Sequence, residues 1–72
     1  MANGQGVTIT LNGKEKALAA SLTVRELLQE MGMADRRVAV ELNMEIVPRS
    51  RHAEVKLQDN DRVEVVAAIG GG

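Results

Sequence analysis

Only one segment of this chain, Thr23 to Met31, carries helical periodicity; the other patterned segments alternate with the period of a strand. Val24, Leu27, Leu28 and Met31 fall at i, i+3, i+4 and i+7, a single apolar stripe. Thr23 is placed to cap this helix, and Glu26 completes a Thr-x-x-Glu capping box. Leu22 and Leu27 have the spacing of a hydrophobic staple, and Gly32 stops the helix because it accepts positive φ. Arg25, Gln29 and Glu30 then face water. A single amphipathic helix can cover one face of one sheet, so the expected class is α+β.

The strands follow from alternation. Val7, Ile9 and Leu11 share a face, and Asn12-Gly13 after them favours a type I′ hairpin, whose two central residues both need positive φ. Lys14 to Leu18 returns as the second strand. Val38, Val40 and Leu42 point inward on a third, Asn43-Met44 turns, and Glu45-Ile46-Val47 forms a short fourth that Pro48 ends. Arg49 to Val55 is mixed and polar, with room for one helical turn. Asp59-Asn60-Asp61 is a turn, its side chains suited to bonding their own backbone. Arg62 to Ala67 is the last strand, with Val63, Val65 and Ala67 on the core side. The first and last strands are expected to pair in parallel near the centre of a mixed four- to five-stranded sheet. That is the β-grasp, or ubiquitin-like, arrangement. Residues 1–68 are expected to form the domain and 69–72 a flexible C-terminal tail.

Composition narrows the function. The 72 residues, 44% hydrophobic and free of aromatics, support one small aliphatic core. Without cysteine there is no disulfide, thiolate metal site or thiol nucleophile. A net charge of −1 argues against nucleic acid as the main partner. No apolar run approaches the ~20 residues of a membrane span, and no signal peptide or myristoylation site is apparent, so a cytoplasmic protein is expected.

Candidate chemistry is sparse. His52 is the one histidine; it lies in a polar segment and is expected to be a solvated surface residue, with no metal partner. Asp59 and Asp61 are read as turn formers, Ser21 and Ser50 lack a base at motif spacing, and Met31, Met33 and Met44 are core or turn fillers. No phosphate-binding glycine motif opens a helix. The chain is therefore expected not to be an enzyme, and to bind no metal or cofactor of its own. Two features remain. Ile69-Gly70-Gly71-Gly72 is slender enough to thread a narrow channel, and residues 68–72 reach about 16–18 Å when extended. The Gly72 carboxylate, with an ordinary pKa of ~3.3–3.7, is ionised at neutral pH and needs activation before it can donate an acyl group. Arg36, Arg37, Arg49 and Arg51 form the second feature. They are either a solvated rim balanced by ten acids or an electrostatic guide for an acidic partner.

Along nearly its whole length the chain resembles the ubiquitin-like sulfur carriers, and among them the ThiS family of thiamine biosynthesis. The match is carried by Asn12-Gly13, Thr23 to Leu28, Val38 to Asn43, Ile46 to Ser50, Asp61 to Val66 and the terminal Gly71-Gly72. Val-Ala-Val-Glu-Leu-Asn followed by Ile-Val-Pro-Arg is more specific than the glycines, which other small β-grasp proteins share. The chain departs from the family in lacking a glycine at Asp59-Asn60-Asp61 and in its third terminal glycine. The resemblance implies a carrier cycle. An adenylyltransferase similar to ubiquitin-activating enzymes would use ATP and magnesium to adenylate the Gly72 carboxylate. A sulfur donor protein would convert it to a thiocarboxylate, and thiazole synthase would accept the sulfur. It places function on Gly70, Gly71 and Gly72, with Gly72 as the modified residue. Val66, Ala68 and Ile69 are the expected partner contacts, Val66 and Ala68 from strand alternation. A carrier of another pathway, such as molybdopterin synthesis, or a ubiquitin-like modifier would share the fold and tail.

Overall fold

The computed structural model describes residues 6–67. Strands β1 (Val7–Leu11) and β2 (Lys14–Leu18) precede helix α1 (Val24–Glu30). Strands β3 (Val38–Leu42) and β4 (Glu45–Ile46), a 3₁₀ turn (Arg49–Arg51) and strand β5 (Arg62–Ala67) follow. The five strands lie in the order β2-β1-β5-β3-β4. The first and last strands run parallel at the centre, and the other neighbours are antiparallel. This is the expected β-grasp sheet. The expected boundary between domain and tail, after residue 68, lies outside the described residues.

Local chemistry explains the elements. The β1–β2 hairpin turns on Asn12 at φ 51° and Gly13 at φ 84°, both left-handed as a type I′ turn requires. Asn43 at φ 52° and Met44 at φ 72° close the β3–β4 hairpin in the same way. Thr23 Oγ1 accepts from the Glu26 amide at 3.1 Å, and Glu26 Oε1 accepts from the Thr23 amide at 2.9 Å, completing the capping box. At the other end Gly32, φ 73°, donates to Gln29 O, and Met33 N donates to Leu28 O. That pair of bonds is a Schellman motif and satisfies carbonyls the helix leaves open.

The core lies between α1 and one face of the sheet. Val24, Leu27 and Leu28 of the helix meet Ile9, Leu18, Val40, Val63 and Val65 of the strands, all buried. Met31, Met33 and Leu22 pack on its margin as partly buried residues. Met44, by contrast, is exposed at its turn. The connection after β4 supplies two more core residues, Val47 and Leu57. Leu57 is fully buried although Lys56 and Gln58 flank it, so no periodicity in the sequence marks it. Its amide donates to Leu22 O at 2.7 Å and its carbonyl accepts from Ser21 Oγ at 2.6 Å, which pulls the side chain under the helix entrance.

The structure corrects the expectation for His52. The residue is buried, with 7% of its surface exposed. Pro48 and the 3₁₀ turn fold the chain back, and His52 Nε2 comes 3.1 Å from Val47 O. A carbonyl only accepts, so Nε2 carries the proton in that bond. The His52 carbonyl in turn accepts from the Arg25 amide at 3.0 Å, and Val55 O accepts from the Val24 amide at 2.9 Å. Those two amides belong to the first turn of α1, where a helix has no partners of its own. The polar segment thus serves as a second cap on the helix, and His52 locks it in place.

Two predictions follow from these contacts. Asn12 Oδ1 accepts from the Val65 amide at 2.8 Å. An Asn12→Gly variant keeps the turn geometry but strands that donor, and urea unfolding should show a loss of about 1–2 kcal/mol. Stability equal to the parent would mean the contact contributes nothing. His52→Leu fills the same space without the donor to Val47 O, and should cost about 1–3 kcal/mol. A change within ~0.5 kcal/mol, the usual range for a surface site, would instead support a solvated histidine.

Candidate functional site

The described residues end on β5, the strand held most firmly in the sheet. Its first half is paired on both sides: Val63 stands between Leu11 and Leu42. Beyond the β1–β2 turn only β3 continues alongside, where Val66 pairs with Ala39 and Ala67 with Val38. Asn12 supplies the last contact on the β1 side through its bond from the Val65 amide. The end of β5 is therefore anchored by one neighbour and open on the other side. Residues that follow Ala67 start from a base fixed in the centre of the sheet.

Alternation sends Val63 and Val65 into the core and leaves Glu64 and Val66 on the opposite, uncovered face. Val66 is 60% exposed there, as its expected role as a partner contact requires. Ile46, cross-strand from Glu41, is exposed at 64% and adds a second apolar group to the same face. The register of β4 places Ile46 there, which the sequence pattern alone did not single out. Glu41 and Glu64 sit directly opposite each other, and with Met44 and Arg62 they line a shallow depression. Like charges opposed across strands oppose pairing, so this face is acidic at a small local cost. Ala68, Ile69, Gly70, Gly71 and Gly72 lie outside the described residues.

The arginines divide. Arg36, Arg37 and Arg49 surround one cleft of about 300 Å³ beside β3, over a floor that includes Leu28, Val38 and His52. A second cleft of about 320 Å³ adjoins it, sharing Leu28, Ala34, Arg49 and His52 and adding Arg25 and Asp35. Arg51 is not part of the group: it pairs with Glu54 at 3.0 Å and lies towards the β4 side. Arg25 is exposed, on the wet side of the helix as the sequence placed it, and lines the second cleft through the folding back of residues 49–53. The clefts exist because β4 is two residues long against five in β3. Pro48 turns the chain away and leaves the first half of β3 uncovered on that side.

The turn carboxylates hold structure. Asp59 Oδ1 accepts from the Thr8 amide at 2.7 Å. Asp61 accepts from the Gln58 amide at 2.7 Å and from Asn43 Nδ2 at 3.0 Å. Asn60 takes φ 73°, the position where a glycine would otherwise be expected. Among the described residues no three histidine, aspartate or glutamate side chains converge to hold a metal ion. None of the described helices is long and apolar enough to cross a membrane.

Comparison with known proteins agrees with this architecture. A family model described as the ThiS family matches residues 5–72. The chain is 52% identical over 64 residues to a thiazole synthase of Paramagnetospirillum magneticum, covering 89% of this chain and 20% of that protein. It spans about 20% of the length of both thiazole synthases it matches. It is 38% identical to the sulfur carrier protein ThiS of Bacillus subtilis, over 89% of this chain and 98% of that protein. The crystal structure of a thiamine biosynthesis protein, ThiS, from Geobacter metallireducens superposes with a TM-score of 0.79 at 36% identity, covering 92% of this chain and all of that one. The β-grasp sheet, the family match over residues 5–72 and these relatives together show that the chain belongs to the ThiS family.

Proposed function

We propose that the chain is a sulfur carrier of thiamine biosynthesis, acting through the C-terminal carboxylate of Gly72 and not as an enzyme itself. The observation that carries this reading is the position of the end of β5. A central strand, paired to β1 and β3, delivers the chain at Ala67, five residues before Gly72. Five residues of fully extended chain span at most about 16–18 Å, so a carboxylate at Gly72 would lie within that reach of Ala67. Membership of the ThiS family, and relatives named as sulfur carriers, support the assignment.

The chemistry proposed is acyl activation followed by thiolysis. A carboxylate oxygen of Gly72 attacks the α-phosphate of ATP on an adenylyltransferase of the ubiquitin-activating type, releasing pyrophosphate and forming an acyl-adenylate. Magnesium on that partner offsets the phosphate charge. A persulfide on a donor protein then displaces AMP to give an acyl disulfide, and a thiol that attacks the donor-side sulfur forms a disulfide with it and releases the thiocarboxylate on Gly72. Thiazole synthase is the proposed acceptor, supported by the two relatives of that name that carry a matching segment. The glycines at 70 and 71 present no side chain to the walls of a channel. Val66, Ala68 and Ile69 are the proposed contacts at its mouth.

Intact-mass spectrometry after incubation with the adenylyltransferase, ATP, magnesium and a sulfur source tests the proposal. The expected result is a gain equal to one sulfur in place of one oxygen, abolished when Gly71 and Gly72 are deleted. An unchanged mass with active partner enzyme would overturn it. A Val66→Glu variant should fold with stability within ~0.5 kcal/mol of the parent yet convert more slowly. Conversion at the parent rate would remove Val66 from the contact surface.

A further inference from the structure

The net charge of −1 conceals a segregated distribution. Four of the nine cationic residues, Arg25, Arg36, Arg37 and Arg49, line the two adjoining clefts, with only Asp35 of the ten acids among them. All four are exposed. Among the described residues the ion pair formed is Arg51 with Glu54, so none of the four has a carboxylate partner there. The uncovered sheet face has the opposite character, with Glu15, Glu41 and Glu64 beside Arg62. Like charges gathered around a cleft repel one another, and an anion placed among them relieves that repulsion.

We infer that the paired clefts beside β3 dock an acidic, partly apolar segment of a partner protein. Three observations favour a peptide over a compact anion such as phosphate. The guanidinium groups come from three separate places in the chain: α1, the loop before β3 and the 3₁₀ turn. A compact anion is better served by donors converging on one point. The clefts share Leu28, Ala34, Arg49 and His52 in their linings, so one extended segment can occupy both. Their common floor is Leu28 and Ala34 with the buried His52, suited to aliphatic side chains between the carboxylates. His52 Nε2 is committed to Val47 O, so Nδ1 is the polar atom the ring has left to offer a ligand. The site includes no residue of β5 and does not use the chemistry of Gly72. A carrier gripped here would keep its acidic sheet face and tail available to a second protein.

The test uses the isotope-labelled full chain and a capped synthetic peptide of alternating glutamate and leucine, followed by amide chemical shifts. Expected are shifts centred on Arg36, Arg37, Arg49 and His52, and affinity that falls steeply with salt as the Debye length shrinks from ~30 Å at 0.01 M to ~3 Å at 1 M. Arg36→Glu with Arg49→Glu should weaken binding at least about fivefold, the scale of two exposed charge pairs. A Glu41→Lys, Glu64→Lys variant of the opposite face should bind within about twofold of the parent. If the first pair disturbs the fold, as its amide spectrum would show, Arg25→Gln with Arg37→Gln carries the same expectation. Absence of shifts, shifts confined to the sheet face, or equal binding by the arginine variants would overturn the inference. So would inorganic pyrophosphate shifting the same amides at lower concentration, which would assign the site to a small anion.

Discussion

The parallel pairing of the first and last strands is the constraint on which the rest of this structure depends. Parallel neighbours cannot be joined by a tight turn, so everything between β1 and β5 must travel out and return. The pairing is brief, with Thr10 opposite Arg62 and Leu11 opposite Val63. Side chains extend it at both ends. Asp59 Oδ1 takes the Thr8 amide at one end, and Asn12 Oδ1 takes the Val65 amide at the other. Turn residues thus act as further rungs of the ladder. Asn12 has two roles, since the same residue provides the positive φ that closes the hairpin.

A sheet assembled in this way has one apolar face, and a single helix covers it. The helix has only seven residues, too short to be stable by itself in water. Its ends are therefore held with care: a capping box and the 52–55 segment at the start, a Schellman motif at the finish. Burial of Val24, Leu27 and Leu28 then supplies what propensity cannot. The segment after β4 looks like a surface connection in composition, yet it donates Leu57 and His52 to the interior. It is as much a part of the core as the strands are.

That same segment creates the asymmetry of the surface. By leaving the sheet at Pro48 it uncovers the start of β3 and brings Arg49 next to Arg36 and Arg37. The opposite face keeps Val66, next to the end of β5, and Ile46 among carboxylates. On the proposed function the chain would be recognised by more than one protein in turn, and two surfaces of different chemistry would permit that without enlarging the domain.

Sequence alone determined the elements and their order. Alternation marked β1, β3 and β5, one stripe marked the helix, and Asn12-Gly13, Asn43-Met44 and Asn60 marked turns, all of which take positive φ in the structure. These signals are local: each arises from residues within a few positions of one another, where sterics and periodicity act without reference to the rest of the chain. The same is true of Val66, whose exposure follows from counting along β5. Only the tertiary structure decided the fate of His52 and Leu57, which are polar or isolated in sequence and are buried by contacts with Val47, Leu22 and Ser21. It also decided which arginines belong together, replacing Arg51 with Arg25. Partners distant in sequence leave no period to read. Burial and charge clustering are properties of the folded surface, and they come into being only when β3, the helix and the returning segment meet.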